Sequence, residues 1–407
     1  MTAGSTATVP QVGTLHRGRA FAAAVAGLTA TFVATSSPIP LYNTYRAEQG
    51  FTNADISLTV VAYFAGTILT LLTLSRLPNH LGRKPVAVAT MAVLAVGAFL
   101  LMNVTSLAVL VAGRFLMGLG AGLASSGLTA YIVDAAPTTP PWLPSVASSQ
   151  APNLGLTIGA IGSGALVQYG PWPRGLVYAA VIVMLAACAV WIASSPETVT
   201  PVPGLWRSLR PRVSFPRRVR HLLPVATAVV FSTWATGAFY QAFVPALTIE
   251  KLGTRNALVM GLVFSAYMAP AVLGAPIGGR FRPQTAQRIG MLTFLVAMTG
   301  IVGGLAVSNL PLFIVASIVG GTGQGIAVSA SIRGLLHGSQ PTDRAPIFGG
   351  IYLLSYAGAA IPSFISGQLS RTYSPFQLAI GYGVVALLAT LVTLVFAKAP
   401  ERAGVEA

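Results

Sequence analysis

Twelve apolar runs of close to twenty residues, each bounded by Arg, Pro or Asn, follow one another along this chain. They lie at roughly 20–42, 56–75, 86–104, 107–130, 146–167, 175–194, 222–247, 257–278, 289–307, 311–332, 347–369 and 377–397. About 20 apolar residues wound as a helix cross the hydrocarbon core of a bilayer, and a helix satisfies its own backbone hydrogen bonds there. Strands of a membrane barrel would alternate apolar and polar residues, and these runs do not. Only 8% of the 407 residues are charged, against about 25% in soluble domains, which excludes a water-soluble globule. The predicted fold class is an all-α polytopic membrane protein with twelve transmembrane helices.

The net charge of +16 invites a nucleic-acid reading, but the distribution of the cations argues against that partner. With a cytoplasmic amino terminus, 18 of the 24 Lys and Arg fall on the cytoplasmic side, including six arginines from Arg207 to Arg220, and five fall outside. The remaining cation, Arg114, lies inside a span. This bias is what the positive-inside rule expects and predicts that both termini and the central loop are cytoplasmic. The first span is expected to stay as an anchor rather than be cleaved as a signal, and the one cysteine, Cys188, to pack within span six.

The chain also repeats itself. Gly118, Gly120 and Gly122 recur 203 residues later as Gly321, Gly323 and Gly325, and Gly50, Asn53 and Ala54 recur as Gly253, Asn256 and Ala257. At an offset of 204, YGPW at 169–172 meets YSPF at 373–376, and Tyr178 meets Tyr382. Tandem duplication of a six-helix unit follows. The expected organisation is a cytoplasmic tail (1–19), an N-terminal six-helix bundle (20–194), a basic cytoplasmic linker (195–221), a pseudo-symmetric C-terminal six-helix bundle (222–397) and a second tail (398–407). The linker arginines are expected to lie along anionic headgroups.

Two segments resemble the major facilitator superfamily of twelve-helix secondary transporters. The loop after span two reads SRLPNHLGRKP, and the family pattern there is GxLaDrxGrk. Gly82, Arg83 and Lys84 fit it, whereas Ser75, Asn79 and His80 stand where a glycine, an acid and a base are usual. Span four follows lxxxRxxqGxgaa with Leu110, Arg114, Gly118, Gly120, Ala121 and Gly122, and has Met117 for the glutamine. Small residues at this spacing let helix backbones approach closely. Pro38 to Pro40 is similar to a proline signature of drug efflux members, and Gly155, Gly159, Gly162 and Gly164 are similar to the antiporter glycine motif, with Ala160 in place of its proline. The resemblance implies substrate or proton coupling at Arg114, and an inner gate made by Asn79, Gly82, Arg83, Lys84 and Asp134, with Asp134 latched to Arg83.

A cation two turns into a membrane helix is costly and usually faces the bundle interior. Eight acids are present, and only Asp55, at the outer start of span two, and Asp134, at the inner end of span four, touch a span. Asp55 joins Arg114 as a candidate coupling charge. His337, the repeat partner of Asp134, is expected to be solvated. Candidates for the midplane cavity carry no charge: Gln150, Asn153, Trp234, Tyr240, Gln241, Gln324, Tyr352 and Tyr356. Two readings stand for each, a cavity wall or an interhelical hydrogen bond. Aromatics and amides suit a neutral or weakly charged amphipathic molecule.

The expected function is secondary active transport, namely proton-coupled efflux of small amphipathic or drug-like compounds by alternating access. The protein would act as a monomer without a cofactor or metal in the cell membrane, a bacterial inner membrane on composition. The rival is uptake of an organic anion or metabolite, with Arg114 as counter-charge. A lipid enzyme is a remote alternative, because His16, His80, His221 and His337 are scattered over four segments.

Overall fold

The structure is a computed structural model that describes residues 14–140, 142–209, 217–337 and 341–398. The outermost parts of both predicted tails and the linker arginines between 210 and 216 lie outside the described residues, as do the side chains of Arg207, Asp343 and Arg344. Among the described residues, twelve principal helices follow one another: α1 (Thr14–Ser36), α2 (Asn53–Thr73), α3 (Arg83–Met102), α4 (Leu107–Ala135), α5 (Leu143–Tyr169), α6 (Pro173–Ala193), α7 (Leu223–Ala242), α8 (Ala257–Met268), α9 (Pro283–Ala306), α10 (Leu310–Leu336), α11 (Pro341–Leu369) and α12 (Pro375–Phe396). Beyond Met268, where Pro270 lacks an N–H, α8 tightens into a 3-10 turn, Ala269–Leu273, and a short helix, Gly274–Gly278.

Among the described residues, ten helical stretches are long and apolar enough to cross a membrane. The two long helices outside that set are α5 and α11, at 27 and 29 residues. In α5 the lower apolarity has a local cause: Ser145, Ser148, Ser149, Gln150, Asn153 and Thr157 crowd its first half. Polar residues at such density suit helices that border a protein interior rather than lipid.

The contact pattern repeats. Helix α1 packs on α4, α5 and α6, and α7 on α10, α11 and α12; α4 rests on α2 and α3, as α10 does on α8 and α9. The glycine signatures make this possible. A Cβ on Gly118 would strike the carbonyl oxygen of Tyr63 on α2, one on Gly122 would meet Thr70, and one on Gly120 would meet Leu94 on α3. In the second half Gly321 lies against the Tyr267 carbonyl and Gly325 against Ala271, both past the start of α8, while Gly323 lies against Phe294 and Gly290 on α9. Alternate glycines therefore serve two neighbours, because residues two apart on a helix point about 200° apart. The Thr67 hydroxyl also donates to the Gly118 carbonyl at 3.0 Å.

Gly50 and Gly253 share a left-handed conformation, φ 71° and 66°, in equivalent turns before α2 and α8. Both follow short helices, Tyr42–Gln49 and Val244–Glu250. Asn256 then caps α8 by accepting from Leu258 and Val259 N–H. Thr52 and Asp55 form a capping box on α2.

The end carrying the α2–α3 loop is rich in cations (Arg76, Arg83, Lys84, Arg280, Arg282) and is called here the basic end; the opposite one is the far end. In the far half the two six-helix units close on each other. Gly164 and Gly261 bring the backbones of α5 and α8 together, and Gly367 of α11 rests on Ser57 of α2. Hydrogen bonds crossing between the halves cluster there: Asn43 to the Pro245 carbonyl (2.7 Å), Ser57 to the Ser363 carbonyl (2.5 Å) and the Ala257 N–H to Gln168 (3.0 Å).

Replacing Gly118 by Ala is expected to destabilise the folded protein by about 1–3 kcal/mol through overpacking against Tyr63. Gly162→Ala, whose Cβ would meet nothing within 4 Å, should be neutral or slightly stabilising. Thermal unfolding in detergent checks both, and equal melting temperatures would refute the backbone contact.

Candidate functional site

Three groups of side chains occupy the interior and its basic-end mouth. At mid-depth an aromatic cluster joins both halves. Phe64 of α2 lies 6.0 Å from Tyr356 of α11, whose ring meets Trp234 of α7 edge-on at 4.8 Å and stacks with Tyr352 at 6.4 Å. Tyr356 is buried, Trp234 half-buried and Tyr352 40% exposed. The lipid face of α11 carries Ile361, Phe364 and Ile365, and at 100° per residue Tyr352 lies on the opposite side. Its exposure is therefore to the interior, on the basic-end side of the sealed far half. Gln150 and Asn153 on α5 and Gln324 on α10 are half-buried at comparable depth. The Oε1 atoms of Gln150 and Gln324 are buried and have no hydrogen-bond partner.

Other predicted cavity residues lie elsewhere. Tyr240 is fully buried inside the second half, where its hydroxyl is 2.5 Å from Ser317 and its ring stacks on Tyr267 at 4.5 Å. Gln241 is bonded to Arg114.

Arg114 is the largest fully buried side chain among the described residues. Its Nη1 donates to the Thr35 carbonyl at 2.7 Å and its Nη2 to Gln241 Oε1 at 3.1 Å, across the boundary between halves. The guanidinium sits over Tyr63 at 4.8 Å and near Tyr42 at 5.9 Å. No carboxylate pairs with it among the described ion pairs. Carbonyl oxygens and the negative faces of two rings stand in for a counter-ion. Asp55, the other predicted coupling charge, is at the far-end start of α2, where its carboxylate accepts from the backbone and hydroxyl of Thr52 at 2.8 and 2.7 Å. The structure does not bring these two charges together.

At the basic end, Arg83 Nε lies 2.8 Å from Asp134 Oδ2, which ties the start of α3 to the end of α4. Arg83 Nη1 also donates to Asn79 Oδ1 at 2.8 Å, so the amide at the usual acid position still accepts from the arginine. Gly82 turns the loop with φ 100°. The sequence does not single out Glu197, yet this residue caps α3: its carboxylate accepts from Arg83 N and Lys84 N at 2.9 and 3.0 Å and from Thr198 N at 2.9 Å. A carboxylate at a helix amino terminus satisfies free N–H groups and complements the helix dipole. His80 reaches the Val202 carbonyl at 2.7 Å, Val202 N–H donates to the Asn79 carbonyl, and Tyr131 donates to the Pro196 carbonyl at 2.6 Å. The segment after α6 is thus strapped to the α2–α3 loop. A Pro-Glu-Thr step just past an apolar run was the available signal.

In the second half cations take over such positions. Arg333 donates to the Gly278 and Phe281 carbonyls, and Arg288 to the Ala397 carbonyl, so each caps the carboxyl end of a neighbouring helix.

A family profile described as Major Facilitator Superfamily matches residues 20–302. Uncharacterized MFS-type transporters from two strains of Mycobacterium tuberculosis are each 24% identical to the chain over 339 residues, covering 80% of it and 48% of theirs. The chain spans about half the length of the curated relatives it matches.

Loss of the cap in Glu197→Ala should destabilise the protein by about 1 kcal/mol, whereas Thr198→Ala, whose hydroxyl has no partner, should not. Differential scanning fluorimetry compares them, and a Glu197→Ala protein as stable as wild type would discount the cap.

Proposed function

The chain belongs to the major facilitator superfamily, and on that premise we propose that it exports a small, neutral or weakly charged amphipathic compound in exchange for protons. The observation that carries this reading is the mid-depth wall of Phe64, Trp234, Tyr352 and Tyr356 with the unpartnered amide oxygens of Gln150 and Gln324. Such a wall offers π faces and acceptors but no charge. It is approached from the basic end while the far end is shut, which suits loading from the cytoplasm if the basic end is cytoplasmic, as the cation bias supports. The protein would then lie in the cell membrane with both termini inside and work as a monomer.

Asp134 supports proton exchange through its bond to Arg83. Protonation there removes the ionic attraction between α3 and α4 at the basic-end mouth, where the two half-molecules must approach each other to close the cavity on that side. Arg114 is less suited to hold an anionic substrate in this conformation, because both terminal nitrogens are engaged and its Nε is enclosed. That geometry favours efflux over organic-anion uptake.

In vesicles with an imposed pH gradient, a neutral fluorescent amphiphile should move from the basic-end side against the proton flow, and Asp134→Asn should lower gradient-driven transport at least tenfold. Movement of substrate with the protons would establish uptake instead. Trp234→Ala and Tyr356→Ala should each raise KM by up to roughly tenfold, the equivalent of about 1.4 kcal/mol of lost aromatic contact, with membrane abundance unchanged. An unchanged KM in both would remove the aromatic wall from the binding site.

A further inference from the structure

We infer that Arg114 and Gln241 form the latch that holds the two halves shut at the far end, with Gln241 as its positioning residue. Arg114 lies seven residues into α4 from Leu107, about 10 Å from the far end of that helix at 1.5 Å per residue. Gln241 is on the last turn of α7, in the other half. The remaining partners of the guanidinium, the Thr35 carbonyl and the rings of Tyr42 and Tyr63, come from the same half as Arg114 and travel with it. Separation of the halves at this end therefore removes one bond from the charge, the one to Gln241, and admits water to a side chain that is now fully buried.

The repeat partner of Arg114 shows that the bond is particular to one half. Ser317 occupies the equivalent place on α10, and its hydroxyl stays within the second half, between Tyr240 and the Phe313 carbonyl. Tyr240 lies on Tyr267 where the guanidinium lies on Tyr63. The second half fills this position with a ring and reaches for nothing across the boundary; the first half fills it with a charge that does. Because Gln241 is neutral, the bond closes the far end without the desolvation of a second ion, and it can be broken in each cycle.

The latch is read without substrate, so its test can fail while the aromatic wall that carries the efflux reading stands. In full-length protein in lipid nanodiscs, with Cys188→Ala as background, spin labels are attached at Tyr169→Cys and Tyr373→Cys. These positions are 73% and 48% exposed, at the far end of each half. Double electron–electron resonance without substrate then reads the ratio of open to closed far ends. Gln241→Leu is expected to raise that ratio about tenfold, because the closed state leaves the guanidinium one acceptor short. Gln241→Glu, which supplies a counter-charge, is expected to lower it. A wild-type ratio in well-folded Gln241→Leu, or an opened far end in Gln241→Glu, overturns the latch; if Gln241→Leu does not fold, the Gln241→Glu result decides alone.

Discussion

The backbone contact of α4 with α2, and of α10 with α8, is the constraint on which the rest of the structure depends. In a bilayer no hydrophobic force draws helices together, since lipid tails are as apolar as leucine, so association relies on close packing and interhelical hydrogen bonds. Gly118 and Gly321 let the carbonyls of Tyr63 and Tyr267 lie where a side chain would otherwise stand. That approach sets where the Tyr63 ring falls, and the ring in turn provides one face of the Arg114 environment. A packing requirement at one position thus fixes the surroundings of a charge one turn away.

Duplication gives two copies of this frame, and the chemistry lies in how the copies diverge. On the first, a guanidinium covers the tyrosine; on the second, another tyrosine does. At the basic end the first half joins Arg83 to Asp134 and caps α3 with Glu197, while the second half caps helix carboxyl ends with Arg288 and Arg333. Both arrangements obey the same electrostatics, with anions at helix amino termini and cations at carboxyl termini. Among the described residues, only the first contains an ion pair.

Much of this was legible in the chain because it is local or periodic. Gly50 and Gly253 recur at the repeat offset, and both adopt a left-handed conformation that glycine reaches without strain. The glycines of α4 and α10 lie at a spacing that serves two neighbours. What could not be read is pairing between distant segments. Nothing near Gln241 marks it as the partner of a residue 127 positions away, and Glu197 reaches Arg83 N across 114 positions. Tyr240 beside Gln241 has a similar pattern to a cavity residue but points into its own half, because adjacent residues on a helix diverge by about 100°. The fifth run is readable as a helix, yet it misses the apolarity of the ten spans because its first half carries polar groups, Gln150 and Asn153 among them.

The far-end seal is built from weak parts, and that bears on transport. Asn43, Ser57, Gln168 and Gln241 are all neutral, and three of them bond to backbone atoms. Interhelical hydrogen bonds in membranes contribute on average about 0.6 kcal/mol each, so four give roughly 2–3 kcal/mol, more where a charge takes part. A differential affinity of about 5.5 kcal/mol moves a two-state equilibrium from 1:99 to 99:1. A seal of this strength can keep the far end closed while leaving it within reach of the free energy that a bound ligand supplies. Ion pairs spanning the same boundary would hold it more tightly and would impose the desolvation of two charges on every closing. Arg114, the fully buried charge there, keeps its other partners within its own half, so opening exchanges one acceptor for water and does not strand the guanidinium.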